Sequence, residues 1–323
     1  MTVDLRPLRL DLADMQILCN LLEFDRKPHE PLRTAEARLE DRTVDGCSAM
    51  GSVAEIDGIP VGVTTLMKPP GDVFPDTIGI WVVVHPEHRR QGIGRRLAGA
   101  EMAQCIEAGF PAQLTAVSLD EAPGLALAEA TGFREIDRGW QLTFDIDTWD
   151  STAGEQVLQA AHDDGVEVLS LANLARKRDG WAACLHPLAH ECAGDVPTTM
   201  DLPSDDMVGA TPDAFEVKLQ TLRIDMDASF VAMVDGNCAA TSWITRPTDE
   251  VCCVTMTGTG RAYRRRGLVK ALKQAAFKWC SSHGVRWINT QQHESNMPML
   301  DLNKRLGFKV QHGHAIMRRD LAD

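Results

Sequence analysis

The chain of 323 residues contains an internal repeat, and few folds accommodate a repeat of this length. A β-prone run, an Asp-Gly turn and a second β-prone run occur around Asp57 and again around Asp235. Two more pairs of segments are separated by 175 residues. They are Arg89-Arg90-Gln91-Gly92-Ile93-Gly94-Arg95 with Arg264-Arg265-Arg266-Gly267-Leu268-Val269-Lys270, and Thr131-Gly132-Phe133 with Leu306-Gly307-Phe308. Three echoes in the same order predict a duplicated domain of about 150 to 170 residues, since the units of solenoid proteins are much shorter.

Each half alternates strand-like and helix-like segments, which predicts an α/β fold (α+β with a mixed sheet) built as two tandem domains. We place the boundary after residue 148, giving domains 1–148 and 149–323. Residues 147–154 are polar and rich in turn formers, and a helical pattern restarts at Glu155. Residues 176–213 are rich in Pro, Asp and His, so we expect a substrate-facing excursion or a mobile loop there.

Composition restricts the partners. The net charge of −13 argues against nucleic-acid binding, which depends on attraction to phosphates. No apolar run reaches the roughly 18 residues of a membrane span, and the first residues lack the features of a secretory signal. Nine Cys without a CxxC pair favour reduced thiols. We therefore expect a cytoplasmic protein, a monomer or homodimer, without nucleic-acid or membrane partners.

The most informative segment is a strand, a glycine turn and a helix. An apolar β-branched run ends at His85-Pro86, and Gly92 and Gly94 then open a helix. The first turn of a helix has unpaired N–H groups and a positive dipole, so it binds phosphate readily. Glycines let the backbone approach an anion closely, and the neighbouring arginines add cations. The segment lacks both the Rossmann GxGxxG and the Walker A pattern.

The alternative interpretation is that these glycines only shape a turn and that the arginines cover a solvated helix end. The duplication of the turn after a long strand in each half favours anion binding.

The pattern over residues 82–96 resembles the acyl-CoA motif of the GNAT superfamily of N-acetyltransferases. Thr131-Gly132-Phe133 and Leu306-Gly307-Phe308 resemble the late Gly-Phe pair of that superfamily. The C-terminal half is similar to tandem GNAT proteins, and the tandem layout resembles that of the mycothiol synthases. Together the resemblance covers most of the chain, except for residues 162–225.

This resemblance implies acetyl-CoA as the acyl-donor substrate, with its pyrophosphate on the Gly/Arg turn and its pantetheine beside the preceding strand. In the first half the implied contacts are Val82, Val83, Val84, Arg90, Gln91, Gly92, Ile93, Gly94 and Arg95. In the second half they are Thr257, Gly258, Thr259, Arg265, Arg266, Gly267, Leu268, Val269 and Lys270, with Asn296 and Asn303 on the late helix.

The two halves depart from the superfamily pattern in different ways. Many members carry a Tyr on the late helix that protonates the CoA sulfur, but Ala128 and Asn303 lie at or next to that place. The single Tyr of the chain, Tyr263, lies in the Arg-rich turn. Members of the superfamily also carry an Asn near the start of the late helix that contacts CoA. Asn296 stands at that position in the second half, and Glu121 stands there in the first half. Conversely, the second turn glycine is kept as Gly94 and lost as Val269. We therefore expect both halves to hold CoA and the C-terminal half to carry the chemistry.

Asp249 and Glu250, just before a strand, are the candidate general bases, and Asp76 is the first-half equivalent; each could instead be a solvated turn acid. A strand N–H near Val84 or Thr259 could stabilise the oxyanion.

Four potential zinc ligands lie close together in the sequence: Cys184, His186, His190 and Cys192. Their spacing matches no familiar structural zinc site, so we expect no metal. His186, His190 and Asp195 are instead candidates for an acceptor pocket.

The resemblance thus predicts a transferase: an acyl-CoA-dependent N-acyltransferase that moves acetyl from acetyl-CoA to a primary amine of a small molecule by direct attack. The alternative is a non-catalytic CoA-binding module used for sensing or for partner binding.

Overall fold

The computed structural model describes residues 2–24, 34–36, 38–39, 51–67, 77–197 and 204–321, and the chain divides into two compact units. The first unit comprises Met1–Gly139 and His312–Asp323, and the second comprises Trp140–Gln311. These limits differ from the predicted halves because each unit takes its last strand from the other half of the chain. The division of the duplicated sequence after residue 148 stays a prediction.

Strands and helices alternate along both units. The strands are β1 (Asp4–Pro7), β2 (Ser52–Ile56), β3 (Ile59–Met67), β4 (Thr77–Val84), β5 (Ala112–Ser118), β6 (Arg134–Asp145), β7 (Val166–Ser170), β8 (Phe230–Val234), β9 (Asn237–Thr248), β10 (Val251–Thr259), β11 (Trp287–His293) and β12 (Lys309–Asp320). The helices are α1 (Leu12–Glu23), α2 (Ile93–Glu107), α3 (Ala122–Ala130), α4 (Ser151–Asp163), α5 (Leu171–Lys177), α6 (Trp181–Gly194), α7 (Ser204–Val208), α8 (Pro212–Thr221), α9 (Leu268–Ser282) and α10 (Met297–Arg305). None of these described helices is long and apolar enough to cross a membrane.

The two units have the same sheet order. In the first unit the order is β1-β2-β3-β4-β5-β12, and in the second it is β7-β8-β9-β10-β11-β6. Only β4 with β5 and β10 with β11 are parallel among the strand pairings described. The mixed sheet predicted from the sequence is thereby confirmed in each unit.

Backbone angles repeat at the same offsets as the sequence. Asp57 and Gly58 have φ of 51° and 77°, and Asp235 and Gly236 have 49° and 75°. Two successive positive φ angles are typical of the type I′ turn that closes a two-residue hairpin. The predicted hairpins are therefore confirmed as β2–β3 and β8–β9.

Helices α6 and α9 cover opposite faces of the second unit's sheet. Trp243 of β9 packs in one core cluster with Leu185 and Leu188 of α6. The next residue, Ile244, packs in another cluster with Phe277 of α9. Successive residues of a strand point to opposite faces, so the alternation fixes which helix lies on which side.

The irregular excursion predicted over residues 176–213 is largely helical where the structure describes it. Helix α6 runs from Trp181 to Gly194 with Pro187 inside it. Its inner face buries Leu185, Leu188 and Cys192, at helical spacing. Burial of this apolar face outweighs the helix-breaking effect of the proline, which a composition-based prediction overestimates.

Candidate functional site

The parallel strands of the first unit separate part-way along their length. Only the first three residues of β4, Thr77–Gly79, pair with β5, at Ala112–Leu114. Beyond Gly79, β4 continues to Val84 alongside β3. A cavity of about 540 Å³ lies beside the end of β4. It is lined by Val82, Val83, Val84, His88, Arg89, Arg90, Gly92, Ile93, Gly94, Arg95, Glu121, Pro123, Gly124, Ala126, Leu127 and Ala130.

Nearly all of the residues predicted for the first half line this cavity. The exception is Gln91, which is exposed and donates from Nε2 to the carbonyl oxygen of Glu87 over 3.2 Å. Sequence reasoning did not assign His88 or the α3 residues to the site, whereas Arg89 was among the arginines expected to add cations at its mouth. The α3 residues could have been found from the position of that helix after the separated strand.

The turn before α2 exposes a helix N-terminus to the cavity. Gly92 is the N-cap residue, with φ 82° and no side-chain cap bond. Apart from the adjacent residues, no described residue would lie within 4 Å of a Cβ on Gly92, so the described part of the unit leaves the N-terminus open. Arg90 also has a positive φ, 62°. The open N–H groups, the dipole and Arg90 together suit an anion.

Gly94 has a different role, in packing. A Cβ there would lie 2.9 Å from Cδ2 of Leu127. Gly94 therefore lets α3 approach the first turn of α2 and close one wall of the cavity.

The second unit repeats the strand separation and the turn. Residues Val251–Val254 of β10 pair with Trp287–Thr290 of β11. Beyond Val254, β10 continues to Thr259 without β11. Arg265 and Gly267 have φ of 64° and 75°, close to the angles of Arg90 and Gly92. Among the residues that the structure describes, none beyond the adjacent positions comes within 4 Å of a Cβ built on Gly267, the N-cap of α9.

One backbone feature distinguishes β10 from β4. Val254 pairs with Ile244 while Met256 pairs with Trp243, so Thr255 is an extra residue in the ladder. β4 pairs with β3 without a register shift from Gly79 to Val84. The bulge lies immediately beyond the point where β10 leaves β11. Bulges are common beside active sites, because they redirect the backbone and interrupt pairing.

The residues predicted for the second half are distributed around this turn. Arg265, Arg266 and Lys270 are exposed, and Thr257 hydrogen-bonds Ser242 between hydroxyls at 2.9 Å. Leu268 is buried, and Val269 and Thr259 are half-buried. Gly258 faces α6, because a Cβ there would lie only 2.3 Å from Sγ of Cys192.

The sequence profile of the acetyltransferase (GNAT) family matches residues 14–133 and 197–308. The chain belongs to the GNAT family. The two matched regions confirm the predicted tandem arrangement. Mycothiol acetyltransferase of Clavibacter michiganensis is 29% identical over 277 residues, 85% of this chain and 81% of that protein.

Two solved GNAT structures have the same fold over nearly the whole length. A GCN5-related N-acetyltransferase from Sphaerobacter thermophilus superposes with a TM-score of 0.73 at 19% identity, covering 99% of this chain and 96% of that one. A tandem GNAT protein from the clavulanic acid biosynthesis pathway has a TM-score of 0.70 at 19% identity, covering 100% and 99%. At these identities the two structures establish the fold alone.

The late GNAT helix of the second unit holds its two predicted asparagines differently. Asn296 is the N-cap of α10, where Oδ1 accepts from the backbone N–H of Met299 over 3.4 Å. Asn303 is fully buried, and neither polar atom of its side chain has a hydrogen-bond partner among the described residues. Its first-unit counterpart, Ala128, is buried too. The structure therefore places Asn303 in the core and Asn296 at the helix end.

Tyr263 lies on the turn, as its sequence position predicts. Tyr263 packs against the core cluster that contains Leu268 and Leu272, and the guanidinium of Arg266 lies 6.0 Å from the ring centroid.

The predicted general bases lie far from the turn. Asp249 is 99% exposed, 3.3 Å from Arg246, and the carbonyl oxygen of Glu250 accepts from the N–H groups of Arg286 and Trp287. Both residues precede β10, whereas the turn follows it. A strand of nine residues spans about 30 Å, so the structure does not bring these acids to the turn. Asp76 lies outside the described residues.

The other predicted polar residues have separate partners. Nε2 of His186 lies 2.7 Å from the carbonyl oxygen of Gly209, and Nε2 of His190 lies 2.9 Å from Oδ1 of Asp205. Asp195 instead contacts arginines near the turn. The described residues contain no cluster of three or more side chains suited to a metal ion.

Proposed function

We propose that the chain transfers an acetyl group from acetyl-CoA to a primary amine of a small molecule. The supporting observation is the duplicated combination of a separated strand pair, a left-handed turn and an open helix N-terminus. The first-unit cavity, about 540 Å³, has a volume typical of small-molecule sites. The GNAT membership supplies the reaction class.

We expect acetyl-CoA to bind in one orientation, with its pyrophosphate at the helix N-terminus and its pantetheine along the strand. Its pyrophosphate would accept hydrogen bonds from the N–H groups at the start of α2 or α9. Arg90 and Arg95 would add charge in the first unit, and Arg265 and Lys270 in the second. The pantetheine arm would then run along the free edge of β4 or β10, where the neighbouring strand has separated.

Transfer needs a neutral amine, a polarised thioester carbonyl and a departing thiolate. The amine nitrogen attacks the carbonyl carbon, and a backbone N–H of the strand stabilises the oxyanion that forms. The intermediate then collapses, the C–S bond breaks, and the CoA thiolate takes up a proton. The nitrogen loses its extra proton to a base, so the amide and the free thiol are the products.

We assign this chemistry to the second unit. The Thr255 bulge redirects the β10 backbone beside the strand separation, which would turn a strand N–H towards the thioester carbonyl. β4 has no such interruption over Gly79–Val84. Asp249 and Glu250 remain the proposed bases. Glu250 and Asp249 precede Thr255 by five and six residues, about 17–20 Å of strand, so the proton of the attacking nitrogen would reach them through a chain of water molecules.

A second candidate function is CoA binding without turnover. It is favoured by the late helices, where the buried Asn303 and Ala128 stand at the places of the family's proton donor. In that case both turns would bind CoA, and no amine would be acetylated.

An assay of thiol release separates these functions. Acetyl-CoA is incubated with a panel of primary amines, including amines related to mycothiol because a relative carries that name. Amine-dependent thiol release with an acetylated product supports the transferase. Stoichiometric CoA binding by calorimetry, without release for any amine, supports the binding module.

A further inference from the structure

Two features next to the phosphate turn of the first unit stabilise it. It is preceded by a short 3₁₀ helix, Pro86–His88, whose first residue is a proline and therefore has no N–H to satisfy. The preceding residue, His85, caps this helix by accepting at Nδ1 from the N–H of Glu87 over 3.3 Å. These two features lie next to the turn in the sequence, and the ring of Phe24 adds a contact with His85, at 4.4 Å between ring centroids.

The second unit lacks both of these local devices. The equivalent 3₁₀ helix is Arg261–Tyr263, and its N-cap residue is Gly260, which has no side chain for capping. Arg261 stands where the first unit has Pro86, so its N–H needs an acceptor. Oε1 of Glu191, near the end of α6, accepts that N–H over 2.6 Å.

Asp195, immediately after α6, makes a second connection. Its Oδ1 accepts from the guanidinium of Arg261 over 2.7 Å, and its Oδ2 contacts Arg264. Arg264 also donates from Nε towards the carbonyl oxygen of Thr259, as Arg89 does to Val84 in the first unit. One carboxylate therefore joins Arg261, the first residue of the 3₁₀ helix, to Arg264, which follows the helix.

These contacts belong to one face of α6. The residues that make these contacts follow the i, i+3, i+4, i+7 spacing of a helix face. They are Leu188, Glu191, Cys192 and Asp195. Cys192 lies against Gly258, and Cδ1 of Leu188 would lie 3.2 Å from a Cβ on Gly260. This face is therefore seated on the end of β10 and on the 3₁₀ helix that leads into Arg265 and Gly267.

We propose that Glu191 and Asp195 are positioning residues for the second acyl-CoA turn, acting through Arg261 and Arg264. The proposal rests on the proposed function of that turn. Glu191 replaces the missing local cap, and Asp195 holds Arg261 and Arg264 away from the anion site. The N–H groups after Gly267 and the side chain of Arg265 therefore remain directed at the anion. In the first unit, Pro86 and the His85 cap stand at the places where the second unit uses Arg261, Gly260 and the carboxylate of Glu191.

The first test is Asp195→Asn, made in a Gly92→Glu background so that only the second unit binds CoA. We expect the KM for acetyl-CoA to rise about tenfold, equivalent to about 1.4 kcal/mol, with kcat retained. Asp195→Glu should recover most of the loss. The unfolding midpoint should hardly change, because ion pairs this exposed contribute little stability.

A matched control is Asp320→Asn. Asp320 also joins two arginines, Arg134 and Arg318, but in the first unit. It should leave the KM unchanged. A KM for Asp195→Asn equal to that of the background would overturn the role of Asp195. A lower KM would overturn it as well, by showing that the carboxylate competes with phosphate for the arginines.

The second test is a double-mutant cycle. Glu191→Ala should weaken CoA binding about tenfold when Arg261 is present. An Arg261→Pro background restores the first-unit residue and removes both the N–H and the guanidinium, whose Nε lies 3.8 Å from Oε1 of Glu191. In that background Glu191→Ala should have no further effect. An equal loss in both backgrounds would show that Glu191 does not act through Arg261.

Calorimetry with CoA distinguishes failure of this proposal from failure of the proposed function. If adding Gly267→Glu to the Gly92→Glu background leaves CoA binding unchanged, the second turn is not a CoA site and the proposed function fails there. If the double variant loses CoA while the Glu191 and Asp195 variants bind like the background, only the positioning proposal fails.

Discussion

At the scale of single residues, Lys273 carries a charge into the core of the second unit. It is 1% exposed, and its Nζ lies 5.3 Å from the ring centroid of Phe308. Burial lowers the pKa of this ammonium to about 8, whereas the unfolded chain keeps it near 10.5. The folded state therefore binds the proton less tightly than the unfolded state, which costs stability below pH 8.

We predict that Lys273→Met raises the free energy of unfolding at pH 7 by about 1–3 kcal/mol. The wild type should gain stability as the pH rises from about 8 towards 10.5, because the unfolded state then binds more protons. The variant should lack this gain. Urea unfolding at pH 7 and pH 10 measures both effects, with the exposed Lys309→Met as the control. Equal midpoints for Lys273→Met and the wild type at pH 7 would contradict the prediction.

Gly92 provides a second test at this scale. We predict that Gly92→Glu weakens CoA binding in the first unit by about 2–3 kcal/mol, since an anion at the helix N-terminus replaces charge-assisted backbone bonds. Gly58→Glu is the matched control, because Gly58 has a similar φ, 77°, and equally open space. Calorimetric stoichiometry should fall for Gly92→Glu alone. Unchanged stoichiometry in a folded variant would argue against a first-unit site.

Tyr263 is the remaining test at this scale. We predict that Tyr263→Phe retains most of kcat, with any loss seen as a raised KM for acetyl-CoA, because the ring packs on the turn. Removal of a general acid usually costs about 10²–10⁴-fold in rate. Steady-state kinetics distinguish these outcomes. A fall of that size with intact CoA binding would mean that the hydroxyl reaches the thioester.

At the scale of elements, the contact of α6 with β10 has no room for a side chain at Gly258. We predict that Gly258→Ala destabilises the protein by about 1–3 kcal/mol, because its Cβ would overlap Cys192. Chemical denaturation measures this loss. Gly99→Ala is the control, since a Cβ on this helical glycine meets nothing within 4 Å and alanine favours helices. The loss should shrink in a Cys192→Gly background, and an undiminished loss would place its cause elsewhere.

At the scale of the whole molecule, the duplicated units are expected to have divided their roles. We predict that Gly267→Glu abolishes amine acetylation, while Gly92→Glu retains appreciable turnover. The reason is that the ladder interruption at Thr255 occurs in β10 and not in β4. Turnover numbers at saturating acetyl-CoA provide the measurement. The reverse pattern would move the chemistry to the first unit.

The amino-acid sequence alone determined the features that depend on neighbouring residues. Asp57-Gly58 and Asp235-Gly236 predicted their hairpins because few residues tolerate two successive positive φ angles. Gly92 and Gly267 predicted the two turns, and the family resemblance that they helped to establish implied half of the first-unit cavity lining. Arg90 and Arg265 adopt positive φ without being glycines, and nothing in their residue type signals that.

Only the tertiary structure decided the features that depend on distant segments. Helix α6 forms despite Pro187 because its apolar face is buried against a sheet formed later in the chain. Asn303 turns into the core although its position on the late helix suggested the cofactor side. The exchange of last strands and the contacts of Asp195 join residues more than 60 positions apart. Local propensity contains no information about such pairings, because their free energy comes from burial and hydrogen bonding that exist only once the chain has folded.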